Sequence, residues 1–241
     1  MIDVKVIASG SSGNCTCLTA NFGEKILCDV GVPLKKIFSD LDFMNPDYAI
    51  VTHEHGDHAH LPAIKTLLER GTQVYMTEGT KKALRLGKRH NLHTFKADLL
   101  MEPLSIGSCK MKALRSQHDA AEGIVFQVYD NEDRVLYSTD TVNTPIWNFG
   151  EKLFTKMIIE TNFAVDALEN SDVEFYLKER IKNNHSSIER VVEHFEYMKQ
   201  YHELDALKEI HLIHISKRHG NGEEFKTAIQ KVVGDIPIYA H

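Results

Sequence analysis

The segment His53-Glu54-His55-Gly56-Asp57-His58 puts three imidazoles and two carboxylates into six residues, directly after the short apolar run Tyr48-Ala49-Ile50-Val51. Neither a strand nor a helix aims so many side chains one way, but a loop leaving a strand end does, and Gly56 permits a tight backbone path. Imidazoles together with a carboxylate suit Zn²⁺, Mn²⁺ or Fe²⁺. The plainer alternative is a solvated loop with incidental histidines. So dense a cluster would repel itself when protonated if nothing compensated it. His53, His55, Asp57 and His58 are therefore read as candidate metal ligands.

The elements that must position this loop follow from hydrophobic periodicity. Strand patterns cover about 2–8, 15–20, 25–29 and 47–52, with the turn-forming stretch Gly10 through Asn14 joining the first two as a hairpin. Helical patterns follow at about 61–70 and 79–89, then strands at 109–116, 124–129 and 134–139. After Met157-Ile158-Ile159-Glu160 come helices at about 172–183 and 187–201, a strand at 210–215, a helix at 222–233 and a short strand at Ile236–Tyr239. Two strand groups, each followed by helices, imply an α/β fold of two facing mixed sheets with helices on the outer faces, a four-layer αββα sandwich. With no repeat, low-complexity tract or linker, residues 1–241 are expected to form one domain.

Composition narrows the class. The 241 residues are 42% hydrophobic and 26% charged, the balance of an ordinary globular protein. No apolar run approaches the ~20 residues of a membrane helix. Met1 to Ile7 alternate like a strand and lack the plan of a signal peptide, so a cytoplasmic protein is expected, with no membrane partner. A net charge of −6 argues against nucleic-acid binding over the whole surface, yet leaves room for a phosphate-attracting groove. Cys15 and Cys17 share one strand face, Cys28 lies in another strand, and no CxxC pair occurs; reduced buried thiols are expected. There are 14 histidines, so their positions carry the argument.

The H-x-H-x-D-H pattern after an apolar strand resembles the metallo-β-lactamase fold superfamily. That resemblance implies further ligands at the ends of later strands: His118 after Leu114-Arg115-Ser116-Gln117, Asp140 after Val135–Thr139, and His214 after Ile210–Ile213. It implies that His53, His55 and His118 hold one divalent transition-metal ion, that Asp57, His58 and His214 hold a second, and that Asp140 bridges them. His211 competes with His214; residues three apart on a strand face opposite sides, so only one points at the metals. The His214-Ile215-Ser216 sequence resembles the family's H-[IL]-S and favours His214.

Narrower features point to a branch. Asp140 stands where the best-known zinc β-lactamases carry cysteine, and His55 where the flavodiiron-type branch carries glutamate, which favours water activation over lactam or oxygen chemistry. Ala8-Ser9-Gly10-Ser11-Ser12-Gly13-Asn14 resembles the S-G-S-x-G-N loop of the WalJ-like exonuclease and phosphodiesterase branch. Leu177 to Ser187 resembles that branch's helix and histidine-serine turn, with Asn184 and Ser186 where the branch has Gly and Leu.

The resemblance implies a two-metal phosphodiesterase or DNA exonuclease that uses a metal-bridging hydroxide on nucleic acid or a small phosphodiester. Asp57 would orient the hydroxide and His185 would protonate the leaving alkoxide; a helix cap built by Ser186 and Ser187 is the structural alternative for that turn. Backbone N–H groups of the loop holding Ser9, Ser11, Ser12 and Asn14 would cradle a phosphate, against the alternative of an ordinary hairpin turn. The basic run Lys81, Lys82, Arg85, Lys88 and Arg89 falls mostly on one side of the predicted 79–89 helix, most simply as a solvated face. Lys217, Arg218 and His219 follow His214 and are better placed for substrate phosphate. His60 stays unassigned. Competing functions are a glyoxalase-type thioesterase or lactonase on the same fold, and a non-catalytic metal-bound binding module.

Overall fold

The computed structural model describes residues 1–98, 102–145 and 153–241. Their contacts divide the chain into two compact units, Met1–Arg115 with Asp119–Ile124, and Ser116–His118 with Val125–His241.

In the first unit the Gly10–Asn14 turn closes a hairpin of β1 (Asp3–Ala8) and β2 (Cys15–Thr19), antiparallel with a bulge between Val6 and Ala8. The strands β3 (Lys25–Cys28), β4 (Tyr48–Ile50), β5 (Gln73–Thr77) and β6 (Leu92–Phe95) extend it to a six-stranded sheet in sequence order. The pairs from β3 to β6 are parallel, so the sheet is mixed. The connections supply the helices α1 (Leu34–Asp40), α2 (Leu61–Glu69) and α3 (Glu78–Ala83). Ile64, Leu67 and Leu68 of α2 recur at helical spacing and pack with Leu27, Ala49, Val51 and Val74 in one apolar core. The strands β7 (Leu104–Ile106) and β8 (Cys109–Arg115) form an antiparallel hairpin.

The second unit contains all but the first residue of β9 (Ile124–Tyr129), with β10 (Arg134–Ser138), β11 (Lys156–Glu160), β12 (Glu209–Ile213) and β13 (Ile238–Ala240). Within it the strands follow the order β13-β12-β11-β10-β9. Strands β10 to β13 are mutually parallel and β9 runs against β10, so this sheet is mixed too. Around it lie α4 (Val165–Glu169), α5 (Phe175–Lys182), α6 (Ile188–Gln200) and α7 (Gly222–Val233). Val191, Phe195 and Met198 of α6 join Met157, Ile159, Leu212 and Ile229 in its core.

Strand register explains where chemistry becomes possible. Cys28 pairs with Ile50, so the chain leaves β3 at Asp29 and β4 towards Thr52 and His53 side by side. In the second unit Ser138 pairs with Ile159 and Glu160 with Ile213, which sets the exits of β10, β11 and β12 abreast. Parallel strands characteristically gather functional groups at their carboxyl ends.

One expected element is corrected. The helix expected over 79–89 stops at Ala83, and Arg85 takes a left-handed φ of 53°. The basic run is therefore no continuous helical stripe: Lys81 and Lys82 stay on α3 beside Glu78, while Arg89 pairs with Glu69. All four cysteines are buried, and no disulfide links them among the described residues. Among the described residues no helix is long and apolar enough to cross a membrane.

Candidate metal centre

In the first unit the His53–His58 loop is held by backbone and by one buried carboxylate. His58 and Ala59 donate their N–H groups to the His55 carbonyl, forming a helical turn, and Asn14 N–H bonds the Asp57 carbonyl at 2.7 Å. Gly31 lies against the same loop so closely that a Cβ there would sit 1.7 Å from the Asp57 carbonyl oxygen. Asp29 is fully buried with a left-handed φ of 62°. Its Oδ1 accepts from the Thr52 N–H (2.7 Å) and hydroxyl (2.8 Å), and its Oδ2 lies 2.7 Å from His58 Nδ1.

These contacts set the tautomers. The Thr52 hydroxyl proton is given to Asp29, so the His53 Nδ1–H donates to Thr52 Oγ1 at 3.0 Å. His58 donates through Nδ1 to Asp29. Both rings thus carry their lone pair on Nε2, the arrangement a metal-ligating histidine needs. The rings of His53 and His55 lie 4.7 Å apart and those of His53 and His58 4.3 Å apart. Asp57 Oδ2 is 3.6 Å from His58 Nε2, and the Asn14 amide approaches that nitrogen at 2.9 Å.

In the second unit the strand exits converge on one carboxylate that the sequence reading passed over. Glu160 ends β11, buried, and its Oε1 lies 2.8 Å from His185 Nδ1 and 2.7 Å from His214 Nδ1. Its Oε2 accepts from the N–H groups of Thr141 (3.2 Å) and Ser186 (3.4 Å). Asp140 and His214 both adopt left-handed φ, 47° and 54°, which turns their side chains off the strand ends. For a non-glycine residue that conformation costs roughly 1–2 kcal/mol, a strain typical of functional sites. Asp140 Oδ1 lies 3.1 Å from His214 Nδ1 and its Oδ2 3.3 Å from His118 Nε2. His118 donates its Nδ1–H to the Asn184 carbonyl at 3.1 Å, so its Nε2 also carries the lone pair.

The fields differ from group to group. Burial lowers the His118 pKa and outweighs the raising effect of Asp140. Burial would also lower His185, but the charge and hydrogen bond of Glu160, with Asp140 behind them, hold it above the usual imidazole value. Burial would raise Glu160, and the His185 imidazole overcomes it.

This donor chemistry fits divalent ions. In the second unit alone, one ligand atom each from Asp140, Glu160, His185 and His214 falls within 4.8 Å of the others. His53, His58, His118 and His214 each donate Nδ1–H to an oxygen, which leaves Nε2 as donor to an ion.

The remaining sequence candidates are placed as follows. Ser11 and Ser12 are exposed at the hairpin tip, Ser9 is partly buried and Asn14 is buried. Asn14 Oδ1 accepts from the Gly10 N–H, and Gly13 N–H goes to the Gly10 carbonyl, so two amides of that loop serve the turn itself. His211 turns away from His214, its Nδ1 3.0 Å from His241 Nε2 and its ring stacked on Tyr239. Ser187 caps α6 by accepting from Arg190 N–H, while His185 itself is aimed at Glu160. His60 is the N-cap of α2. Arg218 pairs with Asp172 at 2.8 Å, and His219 is buried. Asp29 and Glu160 were the residues missed; the only signal for either is a carboxylate closing an apolar strand.

Mixed sheets with histidines and carboxylates at their strand exits define the class of metallo-β-lactamase-fold, metal-dependent hydrolases. The chain belongs to the beta-lactamase superfamily domain family, whose model matches residues 32–215. It has the fold of the metallo-beta-lactamase fold protein YhfI from Bacillus subtilis, with TM-score 0.74 and 16% identity over 100% of this chain and 96% of that one. A diphosphatase from the PhnP family aligns with TM-score 0.66 and 16% identity over 100% and 96% of the two chains. The short form of human tRNase Z aligns with TM-score 0.60 and 14% identity over 90% and 94%. No protein of curated function matches the chain by sequence. The α/β class of two mixed sheets with helices, expected from the sequence, is the one these comparisons show.

Proposed function

We propose that the protein is a metal-dependent phosphodiesterase acting on nucleic acid or a small nucleotide diester, with a DNA exonuclease as the sharpest form of the reading. One observation carries it: a partly buried histidine, His185, is hydrogen-bonded to the buried Glu160, which also holds the candidate ligand His214. A phosphodiester leaves an alkoxide that needs a proton, and a histidine whose protonated form is favoured by a neighbouring carboxylate can supply one. The diphosphatase and tRNase Z among the fold relatives act on phosphorus centres by their names, which supports this direction.

In this reading His53, His55 and His118 would hold one divalent ion and Asp57, His58 and His214 the other, with Asp140 available to both. Zn²⁺ and Mn²⁺ suit these ligands, as does Fe²⁺. Such ions, when bound, make water acidic near neutral pH and neutralise charge on phosphate oxygens. Asp57 orients the attacking water, and His185 gives its proton to the departing oxygen. Glu160 fixes the His185 ring and raises its pKa, favouring the protonated form. Ser9, Ser11, Ser12 and Asn14 belong to the phosphate-binding side of the proposal, in which the exposed Ser11–Ser12 tip meets the substrate.

An activity panel in Mn²⁺ and Zn²⁺ tests this. It should include an aryl phosphodiester, single- and double-stranded DNA, RNA, cyclic dinucleotides and a thioester. Hydrolysis of the phosphodiesters is expected, and exclusive hydrolysis of the thioester would overturn the reading. His185→Ala should slow diesters with alkoxide leaving groups by about 10²–10⁴ and activated aryl diesters far less; equal losses would remove the general-acid role.

A further inference from the structure

Helix α6 buries Ile188, Val191, Phe195 and Met198 on one face. Arg190, His194 and Tyr197 follow one another at helical spacing on the adjoining stripe, which lines a cavity of about 290 Å³. The lining also includes Asn143 and Thr144, from the loop that leaves Asp140, and Ser186, the neighbour of His185. The cavity is thus walled by the same two chain segments that carry a candidate metal ligand and the candidate acid.

Asn143 and Thr144 are engaged with Gln117 and Ser138, while three polar side chains of α6 keep hydrogen-bonding capacity. Among the described residues His194 makes no hydrogen bond, and its ring meets only Phe195. Burial lowers its pKa to about 4, so at neutral pH it offers one donor and one acceptor. Arg190 commits only Nη1, to the Lys182 carbonyl at 3.1 Å, besides its backbone bond to Ser187. The Tyr197 ring is backed by Tyr201 with centroids 4.5 Å apart, and its hydroxyl has no partner among the described residues. Glu193 also lines the space.

We propose that this cavity is a nucleobase subsite, receiving the base of the nucleoside whose phosphodiester is cleaved. The proposal rests on the phosphodiesterase reading and adds to it the part of the substrate that is recognised. The lining selects among occupants. The Glu193 carboxylate disfavours a second phosphate, and so many hydrogen-bonding groups disfavour an acyl chain. A planar ring with donors and acceptors on its edge matches both: Tyr197 offers an aromatic surface, and Arg190, Glu193 and His194 offer complementary edge contacts. The volume lies at the small end of ligand pockets, which run from about 300 Å³ upward, and suits a base better than a whole dinucleotide.

Calorimetric titration of the metal-loaded protein with each of the four common nucleoside 5′-monophosphates and with ribose 5-phosphate tests the subsite. At least one nucleotide is expected to bind tenfold or more tightly than ribose 5-phosphate, which has the phosphate and sugar but no base. That advantage should fall below twofold in Tyr197→Ala and in Arg190→Ala, with thermal melting confirming that both variants fold; His194→Gln supplies a third, milder change. Equal binding of the nucleotides and ribose 5-phosphate by the unaltered protein overturns the subsite, as does an advantage that survives all three substitutions in folded protein. Wild-type hydrolysis of bis(p-nitrophenyl) phosphate, a diester without a base, is measured in parallel. Its absence alongside base-dependent binding would sink the catalytic reading and leave the subsite standing.

Discussion

His58 Nδ1 lies 2.7 Å from Asp29 Oδ2, with both side chains closed off from solvent. The same carboxylate takes the N–H and hydroxyl of Thr52, so one residue orients His58 directly and His53 through Thr52. Asp29→Ala removes the acceptor for three buried donors. Each orphaned donor costs about 1–3 kcal/mol, partly relieved by water, so a loss of roughly 2–4 kcal/mol is expected in urea unfolding. Metal affinity should drop about 10- to 100-fold, as when such supporting partners are lost elsewhere. Unaltered affinity in the folded variant would show that Asp29 supports the fold and not the ligands.

The approach of Gly31 to Asp57 gives an independent test. A Cβ placed 1.7 Å from a backbone oxygen cannot be accommodated by side-chain motion, so Gly31→Ala must displace the His53–His58 loop or the 29–31 segment. The expected result is a destabilisation of at least about 2 kcal/mol together with weakened metal binding, read by thermal melting and metal titration. A variant with wild-type stability and metal content would mean that the two segments do not pack as described.

The pairing of His185 with Glu160 sets a direction in pH. Because the folded-state pKa of His185 is raised, the acid form persists above its ordinary value of about 6.5 and is lost as pH rises through the raised value. The stability this pair contributes follows the same course, present below about pH 6.5 and lost as pH climbs through the raised pKa. Turnover of diesters with poor leaving groups should therefore show a descending limb on the alkaline side. In Glu160→Gln burial is no longer outweighed by the carboxylate, and the limb should move to lower pH. An unmoved limb would assign it to another group.

How much of this was legible in the sequence depended on how many residues had to agree. The His53–His58 loop announces itself locally, because no regular element needs such a donor density. His118, Asp140 and His214 became readable as a series of residues ending strands, and the structure places all three within one converging set. Asp29 and Glu160 were not legible, since a single carboxylate closing an apolar run is common, and only strand register brings each to its histidines. The strands β5 and β6 carry little strand signal because Gln73, His93 and Thr94 interrupt their apolar character, which the pairing of β5 with β4 and of β6 with β5 overrides. The expected helix over 79–89 failed where Arg85 turns left-handed, a backbone choice that its side chain does not signal.

The central claim is that hydrolysis of phosphodiesters depends on ions held by these histidines and carboxylates. Its most direct test is to strip the protein with a chelator and titrate Mn²⁺ or Zn²⁺ back while following bis(p-nitrophenyl) phosphate hydrolysis and bound metal together. Activity should vanish on stripping, return in step with uptake of about two ions per chain, and stay absent in folded Asp140→Ala. Hydrolysis by the stripped protein, or none by the fully loaded one, would contradict the account.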